Sequence, residues 1–229
     1  MRRPVATPLA LLALLLSAGK PLSADEPKPP PAPLQEMKID VHSFRVVESY
    51  SGGVSYYSII EDPEHPFIRA VYRPPLDTVT LGAEIPDALR QRVKKLRWKW
   101  RAQVLPKDGD ECRGGAYSDS AAVLYVSWKR GLKWYSIKYV WSSVGQKGKI
   151  CDQRRNLFVV QDTVVLESGG PLGIWKTEEI DPSAEFRAHF EGGNPNADVP
   201  DFVGIGLMSD GDGTQSISAS DYGAFVLVH

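Results

Sequence analysis

Cysteine and histidine are scarce in this chain: two cysteines and four histidines stand among 229 residues. Cys112 and Cys151 have no histidine or second cysteine pair at ligand spacing, which argues against a zinc site. His42, His65, His189 and His229 belong to no recognisable motif, and His189 is expected on the surface of a short helix. No Gly-x-Ser-x-Gly elbow, His-Glu-x-x-His pair or phosphate loop occurs, so the usual signatures of serine hydrolases, metalloproteases and nucleotide-binding enzymes are missing. Charge excess is missing too. A net charge of −1 gives no general attraction to nucleic acid or anionic membrane. Acid pairs such as Glu178 and Glu179 exist, but glycosidase chemistry needs two carboxylates across a cleft, and no catalytic residue is nominated.

Long hydrophobic runs are also absent. Leu9 to Leu16 is apolar but too short to span a bilayer. With Arg2 and Arg3 before it and Leu22-Ser23-Ala24 after it, the segment reads as an export signal over residues 1–24. Ala18 or Gly19 offers an earlier cleavage point, and an uncleaved anchor is the competing reading. No cysteine follows either site, which argues against lipid anchoring. No later stretch is long enough for a transmembrane segment, so the mature protein is expected in the periplasm or secreted. Residues 25–36 follow as a linker, with five prolines among the nine residues Asp25 to Pro33; that composition favours an extended chain without a core. In an oxidising compartment the two cysteines are expected to pair as one disulfide, with two free thiols as the alternative.

What the chain does have is alternation. Leu96-Arg97-Trp98-Lys99-Trp100-Arg101 places Leu96, Trp98 and Trp100 on one face of a strand and Arg97, Lys99 and Arg101 on the other. Comparable runs occur at Ser55–Ile60, Phe67–Tyr72, Thr78–Leu81, Ala121–Trp128, Trp134–Trp141, Leu157–Val165, Gly173–Thr177, Phe202–Met208 and Ser216–Val228, broken by glycines. About ten antiparallel strands with so little helix predict an all-β fold, a jelly-roll β-sandwich forming a single domain over residues 37–229. Asp181-Pro182 predicts one short helix, with Asp181 as cap and Phe186 and Phe190 one turn apart before Gly192. Asp87 to Lys95 is the other helical candidate.

Three constellations could meet a ligand. The first is aromatic: Tyr135, Ile137, Tyr139 and Trp141 share a face, with Trp134, Lys138 and Val140 opposite. Such rings either stack on sugars or fill the core. Trp98 and Trp100 are assigned to the core, while Tyr139 and Trp141 are kept as candidate glycan contacts. The second is cationic, with seven basic residues and no acid from Arg90 to Arg101. It is either a solvated face or a site for an acidic polysaccharide, in which Arg97, Lys99 and Arg101 would make contact. The third is Ser209-Asp210-Gly211-Asp212-Gly213-Thr214, whose alternating oxygens suggest calcium at Asp210, Asp212 and Thr214. Asp221 stands where the helix-loop-helix calcium motif needs Glu, and the competing reading is a Gly-rich turn whose Asp side chains bond their own backbone. No other cofactor is implied.

Several segments together resemble a bacterial family known as domain of unknown function 3047. They are Leu96-Arg97-Trp98-Lys99-Trp100 with Leu105-Pro106, Asp119-Ser120-Ala121-Ala122 leading into Leu124-Tyr125-Val126, Ile137 to Ser143, and Ile205 to Thr214 before Ala219 to Gly223. The resemblance covers about residues 40–229. It implies an exported jelly roll similar to galactose-binding-like and carbohydrate-binding modules, and supplies no activity. It also nominates Asp119, which stands where the family carries paired acids; here the second acid is Ser120, and Gly213 replaces a family Asn. The expected function is a non-catalytic module binding a glycan or other envelope polymer, with no role in nucleic-acid binding. A polysaccharide hydrolase and a structural periplasmic protein that binds another protein are the alternatives.

Overall fold

Alternation along the chain becomes two facing sheets. The computed structural model describes residues 33–49 and 55–229; the expected export signal and most of the proline-rich linker lie outside these. The strands are β1 (Glu36–Lys38), β2 (Arg45–Ser49), β3 (Tyr57–Ile60), β4 (Phe67–Tyr72), β5 (Val79–Glu84), β6 (Lys95–Val104), β7 (Ala122–Arg130), β8 (Lys133–Ser142), β9 (Ile150–Arg155), β10 (Val159–Ser168), β11 (Lys176–Ile180), β12 (Asp201–Met208) and β13 (Ser218–Val228), with one α-helix, α1 (Pro182–Phe190). A six-stranded sheet runs β11-β6-β13-β4-β3, with β1 also paired to β13. A seven-stranded sheet runs β2-β5-β12-β7-β8-β10-β9. The fold is an all-β jelly-roll sandwich. Expected strand and helix positions recur within a few residues, with β1, β2 and β9 added. One pair departs from the antiparallel expectation: β10 lies parallel to β8. The hairpin of β9 and β10 places β9 at the sheet edge and β10 inside it.

The two-faced strand sets the core. In β6, Leu96, Trp98, Trp100 and Ala102 are fully buried. Across the sandwich Trp98 meets Tyr139 and Trp100 meets Trp141, with ring centroids 5.9 and 6.0 Å apart. Such tilted and edge-on pairs add to the area they bury. This corrects the placement of Tyr139 and Trp141 as glycan contacts. Both are about 1% exposed, so neither presents a ring face to a sugar. The indole N–H of Trp141 donates to the Gly169 carbonyl at 2.8 Å, and the Tyr139 hydroxyl donates to Glu185 at 2.6 Å.

Helix α1 begins as its residues require. The Asp181 carboxylate accepts from the Ser183 and Ala184 amides at 2.8 and 3.0 Å, and Pro182 occupies a first-turn position where no amide is needed. Phe186 is buried against Tyr135 and Trp128. His189 is correspondingly not a surface residue. Its ring is 8% exposed and its Nδ1 lies 2.8 Å from Asp162 on β10. Of the segment from Asp87 to Lys95, only Asp87–Leu89 forms a 3-10 turn, because the Lys94 amide already pairs with Val228 and Lys95 opens β6. Cys112 and Cys151 form a disulfide that ties the edge strand β9 to the loop before β7.

Candidate functional site

Strand parity decides what the seven-stranded sheet shows to solvent. Leu124, Val126 and Trp128 of β7 are buried in the core, so Tyr125, Ser127 and Lys129 point outward. The same rule turns Trp134, Ser136 and Lys138 of β8 outward. Register lines these residues into rows across the strands. One row runs Glu84, Gly204, Ser127, Ser136, Gln161, Arg154. The row beside it runs Arg45, Gly82, Gly206, Tyr125, Lys138. On the other side Lys129 stands opposite Trp134.

The middle row is low over Gly204, Ser127 and Ser136, Gly82 and Gly206 keep the row beside it low there too, and the larger side chains around them leave a groove of about 930 Å³. Little room is left for side chains here: a Cβ on Gly204 would lie 3.1 Å from the Ala83 carbonyl, and one on Gly82, in the row beside, would lie 2.9 Å from the Val47 side chain. The groove crosses the strands, and from β5 to β9 its five interstrand steps span roughly 24 Å. Trp134 is 42% exposed at its side, with the Lys129 ammonium 4.8 Å from its ring centre. Arg45, Arg90, Lys129, Lys138 and Arg154 line the groove against one carboxylate, Glu84.

A loop closes one end. Glu111 reaches Lys138 at 2.5 Å, and both side chains are buried. Burial opposes the ammonium charge, but the Glu111 carboxylate more than offsets it and holds Lys138 above its ordinary range. Asp119, at the far end of this loop, accepts from the amides of Gly213 and Thr214 and from the Thr214 hydroxyl at 3.1, 2.7 and 2.5 Å. Asp119, Asp210 and Asp212 offer carboxylate oxygens within 4.8 Å of one another. The arrangement can hold a proton or, with further oxygens to reach about six to eight, a hard cation. The Thr214 hydroxyl donates to Asp119 and so lies beside the three carboxylates, while Asp221 lies on β13 with its own partners, away from them.

Burial pushes Asp210 up to about 8; nearby Lys138 opposes this, and the charges of Asp212 and Asp119 add to it. A raised carboxylate means that the folded state keeps a proton that the unfolded chain has lost. Stability therefore falls as pH rises from the ordinary value of 3.8 toward about 8. Asp210→Asn should flatten that decline and melt above wild type at alkaline pH. Melting curves at acid, neutral and alkaline pH test this, and parallel pH profiles for the two proteins would refute it.

The remaining sequence candidates fall on the opposite sheet. Arg97 pairs with Glu179 and Glu36 at 2.9 and 3.4 Å. Arg101 pairs with Asp221 at 2.7 Å, and Asp221 also takes Arg69 and Gln103. Burial works against the Asp221 charge, but these hydrogen bonds prevail and hold it below the usual carboxylate range. The expected cationic face is thus largely neutralised, and Lys99 lies half-buried between the two arginines along β6. Sequence reasoning missed the groove on the other sheet. The one signal available was the assignment of Trp134 and Lys138 to a common face, away from Tyr139 and Trp141.

A family model described as protein of unknown function (DUF3047) matches residues 55–226. No curated protein matches. Among solved structures, the chain is similar to a family 11 carbohydrate-binding module of Clostridium thermocellum in complex with a β-1,3-1,4-mixed-linked tetrasaccharide (12% identity, 84% of this chain and 94% of that one, TM-score 0.42). It is also similar to the xyloglucanase domain of NopAA, a type three effector of Sinorhizobium fredii (10% identity, 86% and 99%, TM-score 0.43). A third is endoglucanase 3 of Trichoderma harzianum (10% identity, 88% and 99%, TM-score 0.41).

Proposed function

We propose, from the premise that the chain belongs to the DUF3047 family, that it is an exported module that binds a linear glycan in the groove on its seven-stranded sheet. The observation that carries this reading is the groove itself. Its floor of glycine and serine is open along the row, its lining mixes polar and apolar surface in similar amounts, and an exposed indole stands at its side. Sugars offer both hydroxyls for the polar rows and an apolar face for Trp134. Binding is favoured over hydrolysis because Glu84 is the one carboxylate among the described lining residues, whereas glycosidase mechanisms use two carboxyls facing each other about 5–10 Å apart. The Cys112–Cys151 disulfide supports export. Among the described residues no helix is long and apolar enough to cross a membrane.

Trp134→Ala tests the reading. Trp134 is half-exposed and outside the core, so the variant should melt like wild type. Its affinity for a retained polysaccharide should fall at least tenfold, about 1.4 kcal/mol, as for the loss of an aromatic anchor. Affinity electrophoresis through gels of different polysaccharides measures it. Wild type and variant migrating alike in every gel would reject the groove as a glycan site.

A further inference from the structure

We infer that the polymer this groove takes is an anionic polysaccharide, one bearing carboxylates or sulfates along its length; the inference rests on the glycan reading above and narrows it. Five cations against one carboxylate line the groove, although the chain as a whole carries a net charge of −1. Two of the five are already committed. Lys138 is neutralised by Glu111, and Arg90 pairs with Asp87 at 2.8 Å. Arg45, Lys129 and Arg154 are exposed and have no carboxylate partner among the described residues. Arg45 is instead held by the main-chain carbonyls of His42 and Phe44, which restrain its position and leave its charge uncancelled.

They are spread across the sheet. Arg45 lies on β2, Lys129 on β7 and Arg154 on β9, which are the two edges and the middle of the sheet. Three interstrand steps, roughly 14 Å across the strands, separate each from the next, and register offsets them further along the strands, with Arg45 and Lys129 on opposite sides of the row that holds Arg154. On the opposite sheet Arg69, Lys95, Arg97 and Arg101 each have a carboxylate within ion-pair distance, and Lys38, Lys99 and Lys176 have none among the described residues. Along the groove the three unpaired cations share one lining with a single carboxylate, so a repeating anion could meet positive charge there at intervals. A single-stranded nucleic acid fits less well, because grooves for it offer a succession of stacking rings, and this one has Trp134 with a mostly buried Tyr125.

The test compares the same backbone with and without charge. The full chain is titrated with polygalacturonate, with alginate and with fully methyl-esterified polygalacturonate, beside neutral β-glucan and oligo(dT). Polygalacturonate or alginate should bind at least tenfold more tightly than the ester. Raising salt from about 0.05 to about 0.5 M should remove most of that advantage by screening. Lys129→Gln and Arg154→Gln should each weaken binding about fivefold and together about 25-fold, while Lys99→Gln on the other sheet changes nothing. Melting curves and circular dichroism establish that each variant is folded. Equal binding of ester and acid, or binding of β-glucan alone, would overturn the anionic inference and leave the glycan reading standing. Loss of binding in Lys99→Gln, or oligo(dT) binding as tightly as the acidic polymers, would overturn it as well. No retention of any polysaccharide, neutral or acidic, would remove both.

Discussion

Glu111→Ala should lose about 3–5 kcal/mol of stability, among the largest effects expected of any single substitution in this protein. The reason is what remains. Lys138 sits at the end of the groove with its side chain 7% exposed, and Glu111 is fully buried 2.5 Å away. The Ser120 hydroxyl, which also donates to Glu111, loses its acceptor. Removing the carboxylate leaves an ammonium in a poorly hydrated place, and either the charge or the loop must move. A second variant separates the cost of an orphaned charge from the value of the pair. Glu111→Leu combined with Lys138→Met should recover most of the loss, since buried pairs replaced by apolar groups of similar size are often neutral. Chemical denaturation of wild type, each single variant and the double variant closes the cycle. A loss below about 1 kcal/mol in Glu111→Ala would mean that Lys138 reaches water, and would undo the description of this end as closed.

Breaking the Cys112–Cys151 disulfide should cost about 4 kcal/mol, the loop-closure value for a sequence separation of 39. Cys112 is the neighbour of Glu111, so the two devices anchor one loop, by charge to β8 and by a covalent bond to β9. Equilibrium unfolding with and without reductant, set against a Cys112→Ser, Cys151→Ser protein, measures the effect. The reduced wild type and the double variant should coincide. A difference below about 1 kcal/mol would imply that the loop is held without the bond. Because Arg154 lies on the strand that the disulfide secures, the reduced protein should also bind acidic polymer more weakly than its melting temperature alone explains.

How much of this was legible beforehand depends on distance along the chain. The period of two put Trp98 and Trp100 on one face, and Leu96 on that face, with cations on the other, assigned it to the core. Asp181-Pro182 likewise announced α1, since capping is satisfied within four residues. Tyr139 and Trp141 were not resolved, because a strand's sequence says which side chains share a face and not which face is covered. Arg97 and Arg101 misled for a related reason. Their acids, Glu179 and Asp221, lie 82 and 120 residues away, so a basic run that looks unopposed in sequence is neutralised in space. The groove was the least visible feature. Its rows draw single residues from seven strands, and only register brings Arg45, Ser127 and Arg154 to one surface. Asp119 was nominated by family resemblance for a ligand; the structure places it as the clasp of the loop at Gly213 and Thr214.

The position of β13 carries a consequence for how the chain assembles. It is the final strand in sequence, yet it lies inside the six-stranded sheet, paired with β6, β4 and β1. Until it arrives, β6 has β11 beside it and β4 has β3, and the sheet that carries Trp98 and Trp100 stays in two pieces. The six-stranded sheet therefore closes late, on contacts between strands distant in sequence, and topologies of this kind fold slowly. Before that event the inner edges of β4 and β6 stand open as unpaired backbone, and a nascent chain would depend on keeping them apart from other strands.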